Sequence, residues 1–254
     1  MTTERTSPVH VVFGAGGGIG SALAMRLVAS GARVILAGRS QASLARVAAQ
    51  LQAETHLVDV SHPDQVERCL AETLDLHGRI DGVVNCVGSL LLKPAHLTTD
   101  AEWAATLAAN LTSAFHVLRA ATARMMRSGG GSIVLMSSAV AQRGMINHEA
   151  IAAAKAGVVG LAQSAAATYA RYNIRVNCVA PGLTRTPLTE SLTKNEGSLK
   201  ASAALHPLGR IGEPHEVASA IAWLLDREQS WVTGQVIAVD GGLSSVQPRL
   251  AATA

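Results

Sequence analysis

The sequence predicts an α/β fold: a doubly wound parallel sheet of about seven strands with helices on both faces. Three observations lead there. Short apolar, β-branched runs alternate with amphipathic stretches of helical period. A glycine-rich turn joins the first run to the first helical stretch. No Pro/Gly/Ser-rich linker or charge block divides the 254 residues, so one domain spanning 1–254 is expected.

The strand-like runs are 9–13, 34–37, 56–60, 82–86, 133–136, 174–179 and 235–239. Between them lie helical stretches near 19–30, 41–52, 63–77, 99–127, 149–172 and 214–226. Strands of one sheet separated by helices require right-handed crossovers, which cover both faces. Residues 183–212 break the alternation and are long for a connection in a compact domain. Pro187, Pro207, Gly209 and Gly212 suggest a short irregular helix flanked by hinges, so this segment is read as a substrate cover.

Composition narrows the function. Hydrophobic residues make up 48% but aromatics only 3%, so the core must be built from small aliphatic side chains. The net charge of +3 is modest and the arginines are scattered, which argues against a nucleic-acid surface. The opening residues are polar and lack a secretory apolar stretch, and the apolar runs look too short to span a bilayer. Cys69, Cys86 and Cys178 are odd in number and lack CxxC spacing, disfavouring disulfides and a metal site. A cytoplasmic protein with no membrane partner and no bound metal is the expectation.

Gly14-Ala15-Gly16-Gly17-Gly18-Ile19-Gly20 follows a strand and opens a helix. Glycines there permit a tight turn and close backbone approach to a pyrophosphate, which then lies at the positive helix terminus. The second strand ends at Gly38-Arg39-Ser40, where a carboxylate would select the ribose hydroxyls of NAD. Gly38 takes that place. Arg39 suits a 2′-phosphate, and Ser40 adds a hydroxyl, so NADP is favoured and NAD is the alternative.

Several further segments complete a pattern. They are Asp59-Val60 ending the third strand, Asn85-Cys86-Val87-Gly88 ending the fourth, Asn110, Ser137-Ser138, Lys155, and Pro181-Gly182-Leu183-Thr184-Arg185-Thr186. Taken in order with the G-x-x-x-G-x-G turn, they resemble the short-chain dehydrogenase/reductase family from about Val9 to Ser245. The resemblance implies a Rossmann fold and hydride exchange between a nicotinamide and a small carbonyl or alcohol. It implies that Asp59 and Val60 meet the adenine and that the Asn85–Gly88 turn approaches the cofactor. Pro181, Gly182, Thr184 and Thr186 would hold the nicotinamide amide. Lys155 would bind the nicotinamide ribose, Ser138 the carbonyl oxygen, and Asn110 a water chain leading from the lysine. Phe13 departs from the threonine common before the first glycine, and Cys86-Val87 from the usual Asn-Ala.

One departure bears on the chemistry. The family has a tyrosine four residues before the lysine, and here that residue is Ile151. Positions 151 and 155 share a helix face, so Ile151 is expected to face the substrate pocket without a proton to give. His148 is a candidate replacement, with Asn147 as the expected N-cap; an exposed loop-end histidine is the plainer reading. A water on the Asn110–Lys155 relay is another candidate.

Three functions remain open: an oxidoreductase with a modified proton path, a non-catalytic NADP-binding sensor or subunit, and a reaction that needs no phenol. The stretches 99–127 and 149–172 are rich in Ala and Leu on more than one face. A homotetramer or homodimer is expected, with the tail 247–254 mobile or draped across a partner.

Overall fold

The computed structural model describes residues 7–247. Seven parallel strands form one sheet in the order β3-β2-β1-β4-β5-β6-β7. They are β1 (Val9–Phe13), β2 (Arg33–Gly38), β3 (Glu54–Leu57), β4 (Gly82–Asn85), β5 (Gly131–Met136), β6 (Ile174–Pro181) and β7 (Val236–Val239). The order reverses between β1 and β4, which opens a crevice at their carboxyl ends. That is where doubly wound sheets bind ligands.

Strand alternation divides the core between the two faces. Val11 and Phe13 point to a layer made with α3 (Pro63–His77), α5 (Ser113–Met125) and α6 (Glu149–Tyr169). Val12 and Leu36 point to the other, made with α1 (Gly18–Ala29), α2 (Gln41–Leu51) and α9 (Pro214–Leu225). Fully buried alanines such as Ala120, Ala121 and Ala154 let the helices lie close to the sheet, as the scarcity of aromatics requires.

Several boundaries differ from expectation, each for a local reason. Strand β3 pairs with β2 only through Leu57, so Asp59 and Val60 lie in the loop beyond it. That loop is shaped by Asp59 itself, whose Oδ1 accepts from the backbone N–H of Ser61 at 2.9 Å. Cys86 likewise lies one residue past β4.

The expected 99–127 helix is three pieces: α4 (Asp100–Leu107), a π-helical turn (Ala108–Thr112), and α5. Thr99 closes a capping box with Glu102 at its start. The residue that caps α6 is His148, with no side-chain cap bond, because Asn147 adopts a left-handed φ of 63°. Asn147 is therefore a turn residue and not the N-cap.

The helix Glu149–Tyr172 is long and apolar enough, by length and composition alone, to cross a membrane, which corrects the sequence-based expectation on length. Here it packs along β6, burying Ala150, Ile151, Ala154, Lys155 and Val158. A buried lysine on that face suits a core helix and would be costly in lipid.

The segment 183–212 holds a 3₁₀ turn (Pro187–Thr189), α7 (Glu190–Thr193) and α8 (Glu196–Leu205) in place of one irregular helix. Its ends are tied together, since Gly212 N–H donates to Leu183 O at 2.9 Å and Arg185 N–H to Gly212 O at 2.9 Å. The tail 248–254 lies outside the described residues.

Candidate functional site

A cleft of about 570 Å³ opens at the β1/β4 reversal. One wall is the glycine turn. Gly14 has a φ of 79°, and its carbonyl accepts from Gly17 N–H at 3.0 Å, which leads the chain directly into α1. A Cβ on Gly20 would stand 2.3 Å from that same oxygen. Gly16, Gly17, Gly18 and Ile19 line the cleft beside them. The arrangement presents the unpaired N–H groups of a helix start to the opening, the geometry that accepts a phosphate.

The far end of the cleft is formed by Arg39, Ser40, Asp59 and Val60. Ser40 caps α2, its Oγ accepting from Ser43 N–H at 3.3 Å. Arg39 is exposed and is the sole cation among the described residues lining the cleft. The Asp59 carboxyl is held below the usual carboxylate range, chiefly by hydrogen bonds from the Ser61 N–H and hydroxyl. Both reach Oδ1, leaving Oδ2 toward a donor from outside.

Cys86, Val87 and Gly88 line the middle. Asn85 does not; it is buried and its Oδ1 accepts from Val87 N–H at 3.1 Å, which shapes the turn. Thr186 reaches the cleft and packs against Gly18, where an added Cβ would meet its Cγ2 at 2.8 Å. Pro181, Gly182 and Thr184 stand behind it and do not line the opening, Thr184 being buried with its hydroxyl donating to Gly182 O at 3.2 Å.

Two of the residues expected to carry chemistry flank Gly88, whose added Cβ would lie 2.9 Å from Asn110 Oδ1 and 3.5 Å from Lys155 Nζ; Ser138 and His148 do not line the cleft. Lys155 is 7% exposed and donates to Met136 O at 2.9 Å. Burial pushes its pKa down to about 8, against weak opposing pulls from Cys178 and Cys86. The same burial pushes both thiols up to about 12, so neither is a nucleophile at neutral pH.

Asn110 sits in the π-helical turn, a distortion that often marks functional sites. Its amide donates to Ser89 Oγ at 2.9 Å and Thr106 O at 3.0 Å, and its Oδ1 accepts from Ser89 N–H at 3.1 Å. Ser89 lines the cleft and was missed from sequence; the only available signal was a hydroxyl directly after Gly88. Ser138 lies at the end of β5 in extended backbone, its Oγ accepting a long 3.4 Å bond from Val140 N–H.

His148 is half-buried at the start of α6, and its Nδ1 donates to Ile146 O at 2.6 Å. Ile151 is 3% exposed and is not among the cleft-lining residues, so it is covered where an open pocket wall was expected. Lys155, on the same helix, keeps its ammonium beside Gly88.

Comparison with known proteins agrees with this architecture. A family profile described as enoyl-(acyl carrier protein) reductase matches residues 14–244. The 3-oxoacyl-[acyl-carrier-protein] reductase of Thermotoga maritima is 36% identical, covering 92% of this chain and 97% of its own. The chain belongs to the short-chain dehydrogenase/reductase family.

Two solved structures extend that likeness to the whole short-chain dehydrogenase/reductase fold. A short-chain type dehydrogenase/reductase from Mycobacterium ulcerans superposes with a TM-score of 0.91 at 34% identity, covering 95% of this chain and 91% of its own. Actinorhodin polyketide ketoreductase, in a variant solved with NADPH, gives 0.90 at 30% identity over 97% of this chain and all of its own. The short-chain dehydrogenase/reductase family implies a dinucleotide, and the residues present fit one. Glycines of the turn and Gly88 leave the cleft wall without side chains, Arg39 stands at one end, and the buried Lys155 ammonium lies beside Gly88.

Proposed function

We propose that the protein is an NADP-dependent oxidoreductase acting on a small carbonyl or alcohol substrate, by a proton path altered through the lack of a phenol at Ile151. One observation carries the reading: Lys155, a buried cation with a single carbonyl partner, meets Asn110 around a glycine at the cleft. A lone ammonium in an apolar helix face is costly unless a ligand repays it. Ribose hydroxyls are such a ligand.

The bound nicotinamide nucleotide supplies or accepts the hydride. The turn from Gly14 to Gly20 binds its pyrophosphate. Arg39 and Ser40 take the 2′-phosphate, Asp59 and Val60 the adenine, and Thr186, backed by Pro181, Gly182 and Thr184, the nicotinamide amide. The Asn85 to Gly88 turn gives close approach. Ser138, whose hydroxyl proton is uncommitted in the fold, holds the substrate oxygen. The proton comes from a water near Lys155 and Asn110, or from His148. NAD is the competing cofactor, since Arg39 has no second cation beside it in the cleft.

The segment 183–212 covers the substrate from a base tied by backbone hydrogen bonds between Leu183, Arg185 and Gly212. The half-exposed Trp103 and Phe115 on α4 and α5 support assembly as a homotetramer or homodimer. Three free thiols suit a reducing cytoplasm.

The test is titration of the purified protein with NADPH and NADH, then a panel of ketones and aldehydes. The expected outcome is tighter NADPH binding and turnover above an Asn110→Ala/Ser138→Ala/Lys155→Ala control. No turnover above that control would end the enzymatic reading. The covered Ile151 favours a second reading, a cofactor-binding sensor or subunit, which predicts NADPH binding without turnover.

A further inference from the structure

A second recess, of about 400 Å³, lies at the opposite end of the strands, where β4, β5 and β6 begin. Three guanidinium groups line it, those of Arg79, Arg175 and Arg227, against one carboxylate, Asp81. That carboxylate is already fully committed. Its Oδ1 accepts from Arg79 at 2.6 Å and also from Arg227, while its Oδ2 accepts from Arg79 Nε and Val9 N–H, each at 2.8 Å.

Arg175 is different. It is half-buried and donates only to main-chain carbonyls, Val232 O at 3.2 Å and Asp226 O at 3.0 Å. Among the described residues it has no ion pair. Asp226 pulls on it from longer range, but that carboxylate caps the turn at Glu228 and does not line the recess. Burial lowers the pKa of Arg175, as expected of a cation short of counter-charge. Among the described residues lining the recess, three guanidinium groups meet one carboxylate. A half-buried guanidinium fork, that of Arg175, beside the exposed one of Arg227 matches the tetrahedral oxygens of a phosphate.

We propose that this recess binds a phosphate dianion, either inorganic phosphate or the phosphoryl group of a small ester, on Arg175 and Arg227. The site is separate from the nucleotide cleft, because the two lie at opposite ends of the parallel strands. It is independent of the proposed redox activity.

The test is calorimetric titration of the full chain with inorganic phosphate and with glycerol 3-phosphate, at ionic strength held constant with chloride. Binding is expected to weaken about tenfold or more in Arg227→Gln, whose side chain is largely exposed and tolerant of change. Arg39→Gln, at the other cleft, is expected to change only phosphate binding in that cleft and to leave the Arg227-dependent binding in place. The tighter of the two probes identifies whether free phosphate or an ester is the ligand. Because Arg175→Gln removes two structural bonds and risks misfolding, a second readout uses the parent protein. His10 is buried beside Asp81, Arg79 and Arg227, so phosphate in the recess moves its imidazole NMR signals. No binding, binding insensitive to Arg227→Gln, binding lost in Arg39→Gln, or unmoved His10 signals would each overturn the proposal.

Discussion

Lys155 Nζ donates to the carbonyl of Met136 at 2.9 Å, which fixes the ammonium at the carboxyl end of β5. A second bond reinforces it, from Ser137 Oγ to Lys155 O at 3.0 Å. Strand and helix therefore hold each other on both sides of the charge. The position of the ammonium beside Gly88 is set by the fold before any ligand arrives.

That rigidity has a measurable cost. The folded pKa of Lys155, about 8, lies below its ordinary 10.5. Between those values the unfolded chain binds more protons, so this group's contribution to stability rises with pH across the window. The rise is on the order of 3 kcal/mol at most. Urea unfolding at several pH values from about 7.5 to 10.5 should show this slope in the parent and a flatter one in Lys155→Met. Parallel curves for the two proteins would contradict the burial of the charge.

His10 gives a second window. Burial, opposed by the Asp81 charge, lowers its pKa from 6.5 to about 4, and its Nδ1 has no hydrogen-bond partner among the described residues. The folded state excludes a proton that the unfolded chain accepts. The stability it contributes is complete above about pH 6.5 and is lost as pH falls toward 4. His10→Leu should flatten the loss between about pH 6.5 and 4.5, above the range where most carboxylates titrate. An unchanged acid limb in thermal unfolding would show that His10 is solvated.

The fold was legible because periodicity and glycine punctuation are local signals. Val9–Phe13 and Pro63–His77 were read to the residue from apolar runs and a proline at the helix start. The loop at Asp59 and the π-helical turn at Asn110 were not, since both depend on hydrogen bonds that spacing does not encode. In the site, glycine, lysine and serine positions followed from motif order. Ser89 did not, because its part arises from Asn110, twenty-one residues away. The covering of Ile151 was also hidden: helical spacing gives the face a side chain shares, but packing decides whether that face opens to solvent.

Gly20→Ala and Gly17→Ala separate close packing from mere flexibility. A Cβ at Gly20 would lie 2.3 Å from Gly14 O, whereas at Gly17 it would lie 3.3 Å away. Backbone must move in the first case and shift only slightly in the second. Gly20→Ala should destabilise by about 2 kcal/mol or more and weaken NADPH binding at least about tenfold. Gly17→Ala should do much less. Equal effects in thermal unfolding and cofactor titration would show the turn is more plastic than its geometry.

Ser89→Ala removes the acceptor of one Asn110 amide hydrogen and leaves Thr106 O as its remaining partner. Loss of a buried hydrogen-bond partner costs about 1–3 kcal/mol. In an active enzyme the change should fall on kcat more than on KM for substrate, because the proposed proton path runs by Asn110. Restoration by Ser89→Thr is expected if the hydroxyl is the operative group. A KM effect alone would place Ser89 against the substrate instead.

Ile151→Tyr addresses the chemistry most directly. Ile151 is 3% exposed, so a phenol must displace its surroundings at a cost of about 1–3 kcal/mol, and its hydroxyl must find a partner. Lys155, one turn on along the same face, is within the set of groups available to it. If the parent turns over a carbonyl by a water- or histidine-borne proton, the bulkier residue disturbs that arrangement and turnover of the parent's substrate falls. If the parent has no turnover, the new phenol supplies the missing acid, and activity rises from a near-zero background by as much as about a hundred- to ten-thousand-fold. The proposed function requires the first outcome. Assays of both proteins under NADPH saturation, with cofactor affinity checked separately, decide between a modified enzyme and a nucleotide-binding protein that has kept the fold.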